Sequence, residues 1–345
     1  MKNIKTAAAM LLCAALLVPT LGSCAKSSVA MQYGDAVITD RMYSYWFKQY
    51  QDYFLSTVNG AEDTSEFWGS ELEDGTTMGQ YLADTVNENV KKNLVCMKLF
   101  DDFGLKLSDA AVESVDSDLG DLVESYGSRA ALNADLADYE INDTILRQIY
   151  IIQEEISALY DYMYGDEGLF LPSDEQLDEY YRANYARIKY IVLPLYNETA
   201  GEDGTAVKSE MTAEQLEAAY ALSDELKARL DGGEDIDALI AQYSYDDMTS
   251  YPNGVYFSNA NSGYDVIDQA LAMQTGELKV IDEDTAVYIV KRLELEDKPY
   301  TDDSAGQFSD LVDNCSDWVF QNMLTGYFDE ITVSGEIVGM QQTEQ

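Results

Sequence analysis

The stretch from Ala186 to Leu295 constrains the fold more than any other part of the chain. It opens on an apolar run, Ala186-Arg-Ile-Lys-Tyr-Ile-Val-Leu193, and closes on an alternating one, Ala286-Val-Tyr-Ile-Val-Lys-Arg292. Between them lie two amphipathic helical patterns, a polar loop and a third helical pattern. Short apolar runs bounded by turn residues read as strands, and apolar residues spaced three and four apart read as helices. The order strand, helix, helix, strand, helix, strand predicts a small α+β module, because such elements bury their apolar faces only on one another.

Inside this module Ile188–Leu193 is the first strand, and the polar insertion Asn197–Ser209 reads as a mobile loop. Thr212 with Gln215 forms a capping box for a helix carrying Leu216, Tyr220, Leu226 and Leu230, which Gly232-Gly233 stops. Ile236, Leu239, Ile240 and Tyr243 mark the next helix. Val255–Phe257 is a strand, Val266–Met273 a helix, and Thr275-Gly276-Glu277-Leu278 a turn. A second capping box, Ser173 with Gln176, launches a helix ending near Asn184 and places a domain boundary near Pro172.

The preceding part is helical. Val29–Tyr33, the turn Gly34-Asp35 and Ala36–Ile38 read as a hairpin, after which Thr39 caps a helix. Thr77–Phe103 is a long helix stopped by Gly104, Ser108 caps another, and Arg129–Tyr164 reads as a further helical region. At the far end, Phe308, Leu311, Cys315, Val319 and Met323 share one helix face, and Ile331–Val338 alternates like a strand. That helix and strand are expected to dock on the N-terminal helices and the Val29–Tyr33 strand, making one scaffold from both ends.

Composition excludes several classes. The formal net charge of -43 repels nucleic acid, and the 46% hydrophobic content belongs to a folded chain. There is no histidine, so a zinc or non-haem iron site would depend on carboxylates and four cysteines; no metal and no cofactor is expected. No phosphate-binding glycine loop or nucleophile elbow is present. Asp116-Ser-Asp118 lacks the further ligands of a calcium loop. Lys2 and Lys5 precede the apolar Ala7–Val18, a run too short to span a bilayer, and this reads as an export signal. Cys13 falls within that signal. Cys96 and Cys315 each lie on an apolar helix face, and two readings stand side by side: a disulfide joining the chain ends, or two buried free thiols.

Three motifs resemble known families. Leu21-Gly22-Ser23-Cys24 resembles a bacterial lipobox, which implies cleavage before Cys24 and a lipid on its thiol. Val29-Ala-Met-Gln-Tyr-Gly-Asp-Ala-Val-Ile-Thr39 resembles the opening of the N-terminal domains of PrsA and SurA foldases. Leu226-Lys-Ala-Arg-Leu-Asp-Gly-Gly-Glu-Asp-Ile-Asp-Ala-Leu-Ile-Ala-Gln-Tyr-Ser244, with Thr275–Leu278, resembles the parvulin (PpiC, rotamase) type of peptidyl-prolyl cis-trans isomerase.

The resemblance implies an α+β chain: a mainly helical SurA-like chaperone domain built from both chain ends, with an inserted parvulin-like βααβαββ domain. Its expected segments are the signal 1–23, the tether 24–28, the helical domain 29–171, the parvulin-like domain 172–296 and a closing segment 297–345. It also implies that the two family histidines fall on Tyr190 and Tyr288, and the family's loop acid on Asp246, with Asp247 as the alternative register. Phe257 matches a pocket aromatic, the pocket phenylalanine falls on Val266 or Ile267, and the pocket methionine near Ser262.

Phenols both donate and accept, so a tyrosine pair keeps hydrogen bonding, but with ordinary pKa values of about 10 it does not titrate near neutrality. The two tyrosines are therefore either a modified site or core residues of a sheet that no longer catalyses. The implied function is a membrane-anchored extracytoplasmic foldase acting on unfolded exported polypeptides, with a degenerate isomerase domain. The alternatives are an active isomerase and a solute-binding surface lipoprotein.

Overall fold

The computed structural model describes residues 27–334 apart from 59–60, 73, 166–167, 201–204 and 262. The export signal, Cys24, Ser262 and the end of the closing strand lie outside the described residues.

β1 (Val29–Tyr33) and β2 (Ala36–Thr39) form a hairpin across Gly34, whose φ of 60° suits a tight turn. Thr39 caps α1 (Asp40–Thr57), its hydroxyl accepting from the Met42 N–H at 3.3 Å. After the single turn of α2 (Ser65–Trp68), α3 (Met78–Asp102) runs to Gly104, and Ser108 caps α4 (Asp109–Ser125). The helical region expected over Arg129–Tyr164 is broken into α5 (Arg129–Leu136) and α6 (Asp143–Tyr164). Glu140 turns left-handed at φ 61°, and the Asn142 side chain accepts from the Ile145 N–H at 3.0 Å, starting a new helix. Apolar spacing continues across both helices, so periodicity hides the break. α7 (Asp174–Asn184) starts at the Ser173–Gln176 capping box.

β3 (Tyr185–Pro194) follows directly. The insertion read as a mobile loop is instead a hairpin, β4 (Tyr196–Ala200) against β5 (Ala206–Glu210). Tyr196, Thr199 and Val207 favour extended backbone, a signal that the charged residues between them dilute. Next come α8 (Ala213–Asp231), launched by the Thr212–Gln215 box, and α9 (Ile236–Tyr243), capped by Asp235. β6 (Val255–Ser258), α10 (Asp265–Ala272), β7 (Leu278–Glu283) and β8 (Ala286–Leu293) complete the module, and α11 (Leu311–Thr325) and β9 (Thr332–Val333) close the chain. The fold is mixed α and β with small antiparallel sheets.

The chain divides into two units. The first takes in the described residues up to Leu94, Ser108–Ile152 and those from Glu330 onward. Its sheet has the order β2-β1-β9, so the closing strand pairs with β1 as expected from its alternation. Met31 and Ile38 of the hairpin are fully buried, as are Leu82, Val86 and Leu94 along one face of α3.

The second unit comprises Val95–Leu107 and Gln153–Asp329. Its sheet, in the order β6-β3-β8-β7, is antiparallel throughout. One face carries Ile191, Leu193 and Ile289 against Leu226 and Leu230 of α8 and Leu239 and Ile240 of α9. The other carries Ile188 and Val290 against Ala270 of α10 and the adjoining Met273. A third cluster joins Tyr180 and Tyr181 of α7, Tyr185, Tyr256, Phe308, and Leu311 and Cys315 of α11.

That third cluster adds α7 and β6 to the partners of the last helix. Phe320 of α11 also stacks edge-on against Tyr160 and Tyr164 of α6 at 5.4 and 6.0 Å. α11 therefore packs on both α6 and α7 through aromatic contacts. The disulfide reading is corrected: Cys96 and Cys315 are buried free thiols, which burial pushes up to about 12 and about 11.

Glu155 on α6 is half-buried, and burial followed by the charge of Asp101 raises its carboxyl to about 7 from 4.5. Folding disfavours its charged form, so its contribution is fully present below about pH 4.5 and is lost as pH rises through 7. Glu155→Gln is expected to be neutral at acid pH. At pH 8 it should stabilise by about 1–2 kcal/mol, after allowance for solvent screening at a half-exposed site. Thermal melts at the two pH values check this, and equal Tm shifts at both would contradict it.

Candidate functional site

β6 pairs with β3 only from Tyr185 to Ile188. Beyond that point the loop after α9 takes over the exposed backbone groups of β3. The Val192 N–H donates to Ser244 Oγ at 3.0 Å, the Tyr245 N–H donates to the Val192 carbonyl at 2.9 Å, and the Tyr190 N–H reaches Met248 Sδ at 3.5 Å. This pairing carries Asp246 to the sheet, where Tyr190 Oη donates to its Oδ2 at 2.5 Å and the Met248 N–H to its Oδ1 at 3.0 Å. Met248 itself is buried with φ 52°, a backbone state that non-glycine residues seldom adopt. Asp247, the alternative register, accepts from the Thr249 N–H and hydroxyl at 2.9 and 2.8 Å and closes a local turn.

Tyr190 lies opposite Val290 and Tyr288 opposite Val192, so the two tyrosines are diagonal neighbours on one sheet face. Their rings meet edge to face at 5.8 Å and 62°. Burial raises the pKa of both, and the Asp246 hydrogen bond raises that of Tyr190 further; both are neutral phenols at physiological pH. On one side of the pair lies an apolar cavity of about 250 Å³, lined by Ile188, Phe257, Tyr264, Val266 and Ile267 with the two tyrosines. Sites for drug-sized ligands hold roughly 300–1,000 Å³. A smaller slot suits a single apolar side chain or a proline ring.

On the other side of the pair is a more polar cavity of about 460 Å³ that includes Asp246, Tyr196, Tyr245 and Lys208. A larger cavity of about 510 Å³ runs along the outer edge of β6 beside Asp310 and Asp313. There Gln307 Oε1 accepts from the Tyr256 N–H at 3.0 Å, so its backbone donor is already taken. Gly254, at the entry to β6, has φ 102°, and a Cβ there would lie 2.9 Å from the Ile188 carbonyl oxygen. Only glycine lets β6 approach β3 at that point, which places Phe257 over the slot.

The site thus brings together Tyr190, Tyr288, Asp246, Phe257, Val266 and Ile267. Sequence reasoning missed Tyr264, Met248 and the hairpin residues Tyr196 and Lys208. Tyr264 follows a glycine at the start of α10, a position that periodicity leaves unassigned. Among the described residues no group of three or more cysteine, aspartate or glutamate side chains is arranged to hold a metal ion. Nor is any described helix long and apolar enough to cross a membrane.

No family model matches this chain, and no curated protein matches it. Solved structures do. PrsA from Bacillus subtilis is 17% identical, with 81% of this chain and 93% of that one covered at a TM-score of 0.24. The chain is similar to PrsA foldases. The foldase protein PrsA from Streptococcus pneumoniae is 16% identical, covering 86% and 87% of the two chains at a TM-score of 0.25. A structure of SurA-like chaperones from Campylobacter jejuni is 11% identical, covering 89% and 99% at a TM-score of 0.24.

Proposed function

We propose that this protein is an exported foldase of the PrsA type, lipid-anchored outside the cytoplasm through Cys24, that binds unfolded exported polypeptides. In this reading residues 172–296 form a parvulin-like module that holds proline-containing segments and turns them over poorly, residues 29–171 form the helical chaperone part, and residues 297–345 close the scaffold. The observation that carries it is the apolar slot walled by Tyr190 and Tyr288, with Asp246 held against Tyr190 at 2.5 Å.

Prolyl rotation faces a barrier of roughly 18–20 kcal/mol and needs no nucleophile. It needs a dry slot for the ring and polar groups that favour the twisted amide over the planar one. The slot meets the first requirement. For the second, the Tyr190 hydroxyl proton is already committed to Asp246 and neither phenol ionises near neutrality, so little preorganised polarity is left for the twisted amide. A peptide groove with weak turnover is the result. An exposed apolar run, Leu169-Phe170-Leu171, and the neighbouring Phe103–Tyr162 ring pair at 5.6 Å support a surface that holds unfolded chain.

The mature protein is expected to suppress aggregation of a chemically unfolded client at equimolar ratio, followed by light scattering. Aggregation proceeding as in buffer would remove the chaperone reading. Asp246 beside the tyrosine pair and Phe257 in the slot wall favour a second reading, a working isomerase. Exchange spectroscopy on an Ala-Pro peptide separates the two: a rate above background that falls with Asp246→Ala supports turnover.

A further inference from the structure

The polar cavity beside the tyrosine pair has a composition that the apolar slot does not explain. Four tyrosine rings, Tyr190, Tyr196, Tyr245 and Tyr288, surround about 460 Å³ together with the Asp246 carboxylate. Tyr196 and Tyr245 meet nearly edge to face at 6.4 Å, so the β4–β5 hairpin and the loop after α9 build this wall jointly. The Tyr245 hydroxyl donates to Glu198 of the same hairpin at 3.1 Å, so one wall ring is itself bonded to a second carboxylate. Tyrosine rings lining a cavity together with a carboxylate attract a cation, because the π-quadrupole and the formal charge act in the same direction.

The structure contains a sign of that preference. The ammonium of Lys208, on the exposed strand β5, lies 4.0 Å from the centroid of the Tyr196 ring. A cation of this chain already rests on the cage wall. Lys208 is exposed on a two-stranded ribbon, so an incoming ammonium or guanidinium can displace it at small cost.

We infer that this cavity is a subsite for the lysine or arginine side chain next to the proline of a bound client segment. The inference rests on the groove reading above and adds its specificity. Tyr190 and Tyr288 line both cavities, so a side chain adjoining a residue in the slot falls within reach of the cage. The formal charge of -43 acts in the same sense, concentrating cationic segments around the protein.

The test is fluorescence anisotropy of the full mature chain with labelled peptides carrying lysine, norleucine or glutamate immediately before or after a single proline. Norleucine matches the lysine stem without its charge. In one of the two positions the lysine peptide is expected to bind about fivefold to tenfold tighter than the norleucine peptide, with glutamate weakest. The preference should shrink at high ionic strength. K208A should strengthen lysine-peptide binding by removing the internal competitor, and D246N should erase the preference. Lys208 is exposed, so K208A still tests the cage if D246N fails to fold. Equal binding of all three side chains, or tightest binding of glutamate, overturns the cage while leaving the groove in place. No binding by any peptide overturns the groove reading and the cage with it.

Discussion

Replacing Tyr181 by alanine is expected to lower the unfolding free energy by about 3–5 kcal/mol, the range for deleting a buried aromatic ring. Tyr181 is 0% exposed. Its ring has aromatic neighbours at 5.6 Å (Tyr185), 6.2 Å (Tyr256), 5.4 Å (Tyr300) and 5.8 Å (Phe308). The hydroxyl donates to the Glu296 carbonyl at 3.2 Å. Removing the ring empties the junction of α7, the start of β3, β6 and the segment leading into α11. Tyr181→Phe keeps the ring and removes the hydroxyl's hydrogen bonds to Glu296 and Tyr256, and should cost about 1–2 kcal/mol. Urea unfolding followed by circular dichroism measures both, and a loss below about 1 kcal/mol for the alanine variant would mean that this cluster does not organise the unit.

The second large effect concerns turnover. The double variant Tyr190→His with Tyr288→His is expected to raise the exchange rate of an Ala-Pro peptide about 100-fold over the parent, comparable to the value of one preorganised donor in a dry site. The proposed parvulin-like reading places the family's two histidines at these positions. Imidazole offers a donor and an acceptor on separate ring atoms, whereas the Tyr190 phenol spends its single proton on Asp246. The tyrosines occupy diagonal positions on β3 and β8, with rings 5.8 Å apart, so two imidazoles fit the same face with room to spare. An unchanged rate in a folded double variant would show that the loss of histidine is not what limits turnover.

Local signals in the chain specify several of its helix starts. Ser173 with Gln176 and Thr212 with Gln215 form capping boxes, and Thr39 and Ser108 cap the helices assigned to them. Each depends on residues three apart along the chain, so its information is local. β3, β6 and β8 were legible for the same reason, because alternation needs no knowledge of a partner. The Arg129–Tyr164 break was hidden by uninterrupted apolar spacing, and the β4–β5 hairpin by its charged residues.

The site divides along the same line. Tyr190, Tyr288, Asp246, Phe257, Val266 and Ile267 were picked out by motif position, and the sequence by itself determined which strand, loop or helix each one rides on. Only the tertiary structure decided that β6 stops pairing at Ile188, so that Ser244, Tyr245 and Met248 bond to β3 and deliver Asp246 rather than Asp247 to Tyr190. It also decided that α11 meets Tyr180 and Tyr181 of α7 as well as Tyr160 and Tyr164 of α6, and that Cys96 and Cys315 are free thiols. The physical reason is common to both. Caps, turns and periodicity are interactions between near neighbours in sequence, whereas the partner of an apolar face or an unpaired strand edge is settled by competition among all the faces of the folded chain.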